Sequence, residues 1–170
     1  MRDLIPIPSL LAGVAGEYYV AAELSRRGYI ASISLRNTRG VDILTTNQAG
    51  TRSVTIQVKT NQLSTATWIM GEKGERFISP NHFYVFVRLS SLLDRGAFHI
   101  VSSETVAHRI KTKHQAWLSA PGRNGRIRKD SAVRKFEDPQ DEFLERWDLL
   151  GLGDFVADSH EYDDEDTKTA

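Results

Sequence analysis

Polar and apolar positions along the chain fall into stretches with two different periods. Leu10, Leu11, Val14, Tyr18, Ala21 and Leu24 recur at helical spacing. They predict a helix from Leu10 to Arg27, capped by Ser9 and stopped by Gly28. Tyr29 to Leu35 alternates and is rich in β formers, so it reads as a strand. Arg36 to Gly40 is a polar turn, and Val41 to Thr46 a second strand. Asn47 to Gly50 forms a turn into a third strand, Ser53 to Thr60, which is a hairpin pattern.

Asn61 to Asn81 contains Trp68 and Phe77 but also Gly71, Gly74 and Pro80. It reads as an irregular excursion with room for one short element. Phe83 to Leu89 is nearly all apolar, as in a buried strand, and Ala97 to Val101 is another strand. Ser102 or Ser103 caps a helix through Leu118, with Val106, Ile110, His114 and Trp117 along one stripe. Pro121 to Lys135 is a basic, glycine-containing loop. Phe136 to Leu150 is expected to form a last helix through Phe143, Leu144 and Trp147. The expected class is α/β, a mixed central sheet of four to five strands flanked by helices. No internal repeat is visible.

Composition adds limits. At 170 residues, 40% hydrophobic and 26% charged, the chain suits one soluble domain with its own core. Residues 1–150 are expected to form that domain. The chain has no cysteine, so disulfides and thiolate metal sites are excluded, and a cytoplasmic location is expected. The apolar N-terminus is broken by Pro6 and Pro8, short of the about 20 residues a membrane span needs. No membrane partner and no small-molecule cofactor are expected.

The net charge of zero hides an asymmetry. Residues 151–170 hold seven acids and one lysine, and are expected to form a disordered acidic tail. The remaining 150 residues hold 15 acids and 21 bases, a net of +6. Arg109 to Lys135 alone has nine Lys or Arg and one acid, Asp130. Arg123, Arg126, Arg128 and Lys129 suit a phosphate backbone, or else a solvated loop. Arg36 and Arg39 flank the turn before Asp42 and suit a phosphate equally with a solvated turn. The tail run Asp163 to Asp166 is a solvated segment, or a competitor with DNA for the basic loop.

Chemistry concentrates on the hairpin. In Val54-Thr55-Ile56-Gln57-Val58-Lys59 the apolar residues alternate, so Thr55, Gln57 and Lys59 share the face opposite to them. Asp42 sits between Val41 and Ile43, and one register sets it beside Gln57 and Lys59. On the helix, Glu17 projects between Val14, Ala21 and Leu24, where a carboxylate needs a partner, whereas Glu23 is expected to point to solvent. Phosphodiester cleavage needs a hard cation, an activated water and stabilisation of developing negative charge. Glu17 and Asp42 offer carboxylate oxygens, Gln57 an amide oxygen and Val58 a backbone carbonyl for Mg²⁺ or Mn²⁺. Lys59 is placed to orient the water or neutralise the transition state.

Gly16-Glu17, Gly40-Val41-Asp42 and Gln57-Val58-Lys59 together resemble the PD-(D/E)XK nuclease superfamily over roughly residues 9 to 101. Families with this core include restriction endonucleases, Holliday junction resolvases, homing endonucleases and repair nucleases. The resemblance implies a restriction endonuclease-like core, with Glu17 as the helix glutamate, Asp42 as the metal-binding aspartate and Lys59 as the lysine. Gly-Val-Asp stands where the nominal motif has Pro-Asp. Gln57 stands where the motif has an acid, as in active members of the Mrr-like group, and leaves one fewer negative charge for the cation. The implied function is a metal-dependent nuclease acting on DNA, with an endonuclease favoured and a homodimer or higher oligomer expected. Two alternatives stay open. One is a catalytically inactive protein of the same fold that binds nucleic acid or a protein partner. The other is an RNA-processing nuclease. The five histidines, His82, His99, His108, His114 and His160, lack metal-ligand spacing and read as structural or surface residues. Trp68, Trp117 and Trp147 read as core.

Overall fold

A computed structural model describes residues 7–34, 40–90 and 95–153. Helix α1 spans Ser9–Arg26. Strands β1 (Ile30–Ile33), β2 (Ile43–Thr46) and β3 (Ser53–Asn61) follow as an antiparallel meander. After β4 (Thr67–Gly71) and a short 3₁₀ turn, β5 (His82–Arg88) pairs parallel to β3, and β6 (Ala97–Ser102) pairs antiparallel to β5. The main sheet therefore has the order β1-β2-β3-β5-β6, a mixed sheet of five strands, as expected. Helix α2 spans Ser103–Ser119 and is N-capped by Ser102, whose hydroxyl accepts the Thr105 amide at 3.2 Å. Strand β7 (Val133–Glu137) pairs antiparallel with β4 to form a second, two-stranded sheet.

Alternation along β3 decides which layer lies where. Val54, Ile56 and Val58 are buried with Phe83, Val85 and Val87 of β5 in a core that takes in Val20 and Leu24 of α1. The other face of β5 turns Tyr84 and Phe86 into a second core with Trp68 and Met70 of β4, Val106 and Ile110 of α2 and Phe136 of β7. Helix α1 thus covers one face of the main sheet, and α2 with the small sheet covers the other. Gln57 and Lys59 lie opposite Tyr84 and Phe86 in the register, so they belong to the face that α2 and the small sheet cover.

Several expectations change. Pro8, not Ser9, occupies the N-cap of α1, without a side-chain bond. The buried stripe of α1 is Ala12, Gly16, Val20, Glu23 and Leu24, while Leu10, Leu11 and Tyr18 are exposed. Close approach to β3 explains the rotation. A Cβ at Gly16 would lie 1.9 Å from Thr60 Oγ1, so no side chain fits at that position without a shift. The same rotation buries Glu23, which was expected in solvent. It pairs with Arg26 at 2.8 Å, Arg27 at 2.5 Å and Arg95 at 2.7 Å.

The expected last helix, Phe136 to Leu150, is also replaced. Val133-Arg134-Lys135-Phe136-Glu137 alternates in burial and joins β4 as a strand. Asp138 then accepts the Glu142 and Phe143 amides at 2.9 Å each and holds His99 Nδ1 at 2.7 Å. Backbone with positive φ at Asp141 and Glu145 breaks any helix, and only the 3₁₀ turn Trp147–Leu150 follows. Trp68 and Trp147 are core residues as expected, but Trp117 is exposed. Packing continues beyond Leu150: Leu152 is buried, and Gly153 O accepts the Tyr29 hydroxyl at 2.7 Å. Residues 154–170, with most of the acidic tail and His160, lie outside the described residues.

Candidate metal centre

The centre forms where β2 leaves β3. Backbone pairing runs from Thr46↔Ser53 to Ile43↔Ile56. Asp42, one residue before β2, still donates its amide to Ile56 O at 2.9 Å. One step further the side chain takes over from the backbone: Asp42 Oδ2 accepts the Val58 amide at 2.7 Å. From the other side, Ser34 at the end of β1 donates its amide to Asp42 O at 2.8 Å and its hydroxyl to Val41 O at 2.5 Å. Asp42 is therefore clamped between β1 and β3, with its carboxylate at the open fork of the sheet.

The β2–β3 pairing ends at Ile43↔Ile56, and Asp42 shares Ile56 as its backbone partner, next to Gln57, whose neighbour on β5 is Tyr84. Gln57 and Lys59 are half-buried and Val58 is buried, as alternation requires. Burial pushes the Asp42 carboxyl above its ordinary range; the Val58 amide and the nearby Lys59 charge offset this only in part. A half-buried carboxylate whose ionised form the protein leaves under-compensated suits a cation site.

Glu17 arrives from the other layer. Helix α1 lies across the face opposite to Gln57 and Lys59, and its neighbour Gly16 touches Thr60, the residue after Lys59. Glu17 is thus half-buried at the level where β3 ends, one helical residue from the tightest helix–strand contact.

The groups expected to hold a cation, the Asp42 carboxylate, the Gln57 amide oxygen and the Val58 carbonyl, are all oxygen donors. Such a set fits a hard divalent cation. Among the described residues, no three His, Asp or Glu side chains converge on one point. The donor set is therefore poor in negative charge, as Gln57 foreshadows. Two contributors had no sequence signal beyond strand pairing: Ser34, which fixes the Asp42 backbone, and Tyr84, which flanks Gln57.

The basic residues divide. Arg36 and Arg39 lie outside the described residues. Arg123 begins a short 3₁₀ turn. Arg126 and Lys129 are exposed, while Arg128 is half-buried and donates to Trp117 O at 2.8 Å. Among the histidines, His82 is buried, with Nδ1 2.8 Å from the Thr55 hydroxyl, and burial lowers its pKa to about 4. His99 is the buried partner of Asp138, so both are structural as expected. No described helix is long and apolar enough to cross a membrane.

No protein-family model matches this chain, and no curated protein matches it. Among solved structures, the chain is similar to a bacterial homing endonuclease, with a TM-score of 0.48 and 14% identity over 86% of this chain and 94% of that one. It is also similar to a Holliday junction resolvase from the archaeal hyperthermophile Archaeoglobus fulgidus, with a TM-score of 0.42 and 13% identity over 85% of this chain and 92% of that one. At these identities the likeness is one of fold.

Proposed function

We propose that this chain is a Mg²⁺- or Mn²⁺-dependent endonuclease acting on DNA. One observation supports the reading: Asp42 Oδ2 accepts the Val58 amide at 2.7 Å, which sets the carboxylate against the Gln57-Val58-Lys59 run of β3, near enough to Lys59 to feel its charge. Asp42, Gln57 and the Val58 carbonyl would hold the metal, with Glu17 contributing from α1. The bound cation would supply Lewis acidity and lower the pKa of a water. Lys59 neutralises charge that develops on the scissile phosphate and orients the attacking water. Ser34 and the Val58 amide fix Asp42 in place before substrate arrives. The net +6 of the first 150 residues supports a polyanionic substrate. Paired cuts in duplex DNA favour a homodimer or higher oligomer.

Gln57 supports a second reading, an inactive protein of this fold that binds nucleic acid. The deciding experiment incubates pure protein with plasmid, linear, branched and single-stranded DNA and with RNA, in Mg²⁺, Mn²⁺ or EDTA. Metal-dependent cleavage of DNA, lost in Lys59→Ala and in Asp42→Ala, is the expected result. Cleavage of RNA alone would reassign the substrate. Binding in EDTA without cleavage of any substrate would select the inactive reading.

A further inference from the structure

The loop between α2 and β7 presents a side chain that the fold does not use. Ile127 is 94% exposed, standing between Arg126 and Arg128. The loop that carries it is closed on itself. Gly122 donates its amide to Arg126 O at 2.8 Å, and Gly125 donates to Gly122 O at 3.1 Å. Asn124 and Gly125 both take positive φ, 60° and 72°, to make the turn. On the far side of Ile127, the Arg128 guanidinium donates to Trp117 O at 2.8 Å and lies over the Trp117 ring at 4.9 Å. Both flanks are therefore tied down, and the isoleucine stands on a braced tip.

Charge surrounds this tip. Arg126, Arg128 and Lys129 are followed by a single acid, Asp130, which is engaged by His114 at 2.7 Å. An open hollow of about 510 Å³ beside it is lined by Trp117, Asn124, Arg126, Ile127 and Arg128. The loop also belongs to the correct layer. Helix α2 and β7 cover the face of the main sheet that bears Gln57 and Lys59, whereas α1 covers the other. A polyanion reaching Gln57 and Lys59 would approach from this layer.

We propose that Ile127 is a wedge that enters the minor groove of duplex DNA and partly unstacks one base step, with Arg126 and Lys129 on the flanking phosphates. Single apolar side chains on cationic elements act in this way, kinking the duplex to bring more of it onto the protein. A membrane surface is the weaker occupant, because interfacial binding needs a broad apolar face and this tip offers one isoleucine. The inference rests on the DNA reading for the class of ligand, but not on catalysis.

The test uses the full chain in EDTA with duplexes that carry 2-aminopurine at the flexible TA and CA steps. Wild type is expected to raise 2-aminopurine fluorescence and to shorten the end-to-end distance read by energy transfer. Ile127→Ala is expected to lose both signals and to bind roughly tenfold more weakly, with an unchanged salt slope. Arg126→Ala is expected to keep the unstacking signal and to lower the salt slope by about one. Unchanged fluorescence and affinity in Ile127→Ala would overturn the wedge. So would Ile127-dependent sedimentation with phosphatidylserine vesicles when duplex binding ignores the substitution. Plasmid cleavage in Mg²⁺ is read in parallel. Cleavage by wild type with no effect of Ile127→Ala on unstacking rejects the wedge alone. Unstacking without cleavage rejects the nuclease reading alone.

Discussion

The Val58 amide donates to Asp42 Oδ2 at 2.7 Å, so a side chain completes the β2–β3 ladder where the backbone stops doing so. The bond fixes the carboxylate at the fork but compensates its charge only in part, and burial still holds the Asp42 carboxyl above its ordinary range. A group that costs stability in place while occupying a donor-rich corner points to function rather than folding.

Asp42→Asn separates the two roles. The amide oxygen still accepts from Val58, and the buried charge is gone. In EDTA the variant is expected to unfold at the wild-type temperature or a few degrees above it. Mg²⁺ or Mn²⁺ should raise the wild-type transition by mass action but leave Asp42→Asn unmoved, and cleavage should be lost. Differential scanning fluorimetry with and without metal checks this. A large loss of stability in EDTA would mean that Asp42 is structural.

Gln57→Glu tests the shortage of charge. The substitution adds a second carboxylate on β3, on the residue before Val58, whose amide holds Asp42. Metal affinity is expected to rise about tenfold or more, because the added ligand is anionic. Stability without metal should fall by roughly 1 kcal/mol from repulsion between like charges at close range. Isothermal titration with Mn²⁺ and urea unfolding read the two effects. Unchanged metal affinity would remove Gln57 from the donor set.

The candidate centre was legible in the sequence because it depends on alternation. Once Val54, Ile56 and Val58 are assigned to the core, Gln57 and Lys59 must share the other face, and a short turn sets Asp42 within one register of them. Helix α1 misled for a physical reason. Large apolar residues mark its outer surface, and the buried stripe is set by how closely Gly16 approaches Thr60, which helical periodicity does not encode. The C-terminal segment misled for another. Phe143, Leu144 and Trp147 are spaced as on a helix, but the chain there is organised by Asp138, whose partners Glu142, Phe143 and His99 include one 39 residues away. Strand β7 has β4 as its strand partner in a two-stranded sheet, and in the sequence it straddles the basic loop ending at Lys135 and the helix expected from Phe136.

Glu23 yields a pH prediction. Burial alone would raise its carboxyl, but hydrogen bonds and charge from Arg27 and Arg95 more than offset this, and its pKa lies below the ordinary value of 4.5. A depressed folded pKa contributes stability that is present above the unfolded value and lost as the pH falls through the folded one. Arg27 and Arg95 also hold Glu145, at 3.2 Å and 3.0 Å, which ties α1 to the C-terminal segment. Glu23→Gln should therefore cost about 1–3 kcal/mol near pH 7, the range for hydrogen bonds to charged groups. The gap from wild type should narrow as the pH drops below about 4.5. Urea unfolding between pH 3 and pH 7 measures it; a gap independent of pH would show that packing, not charge, carries the contribution.

Gly16 and Thr60 make the sharpest case for packing. A Cβ at Gly16 would fall 1.9 Å from Thr60 Oγ1, 3.1 Å from its Cβ and 3.3 Å from its Cγ2. The hydroxyl oxygen is buried and has no hydrogen-bond partner among the described residues. Gly16→Ala is expected to push α1 off β3 and to destabilise by about 1–3 kcal/mol, despite alanine's higher helix propensity. Removing the obstructing oxygen reverses the sign of the argument. In Thr60→Ala the orphaned hydroxyl is gone, and in the double variant the alanine methyl occupies the space it leaves. The double variant should then be more stable than Gly16→Ala by about 1 kcal/mol or more, a coupling that a double-mutant cycle isolates. Because Glu17 follows Gly16 directly, the same cycle carried out on metal-dependent cleavage asks whether the helix seat positions that carboxylate. Recovery of stability together with cleavage would tie the two. Recovery of stability with cleavage unaffected throughout would leave Glu17 outside the reaction.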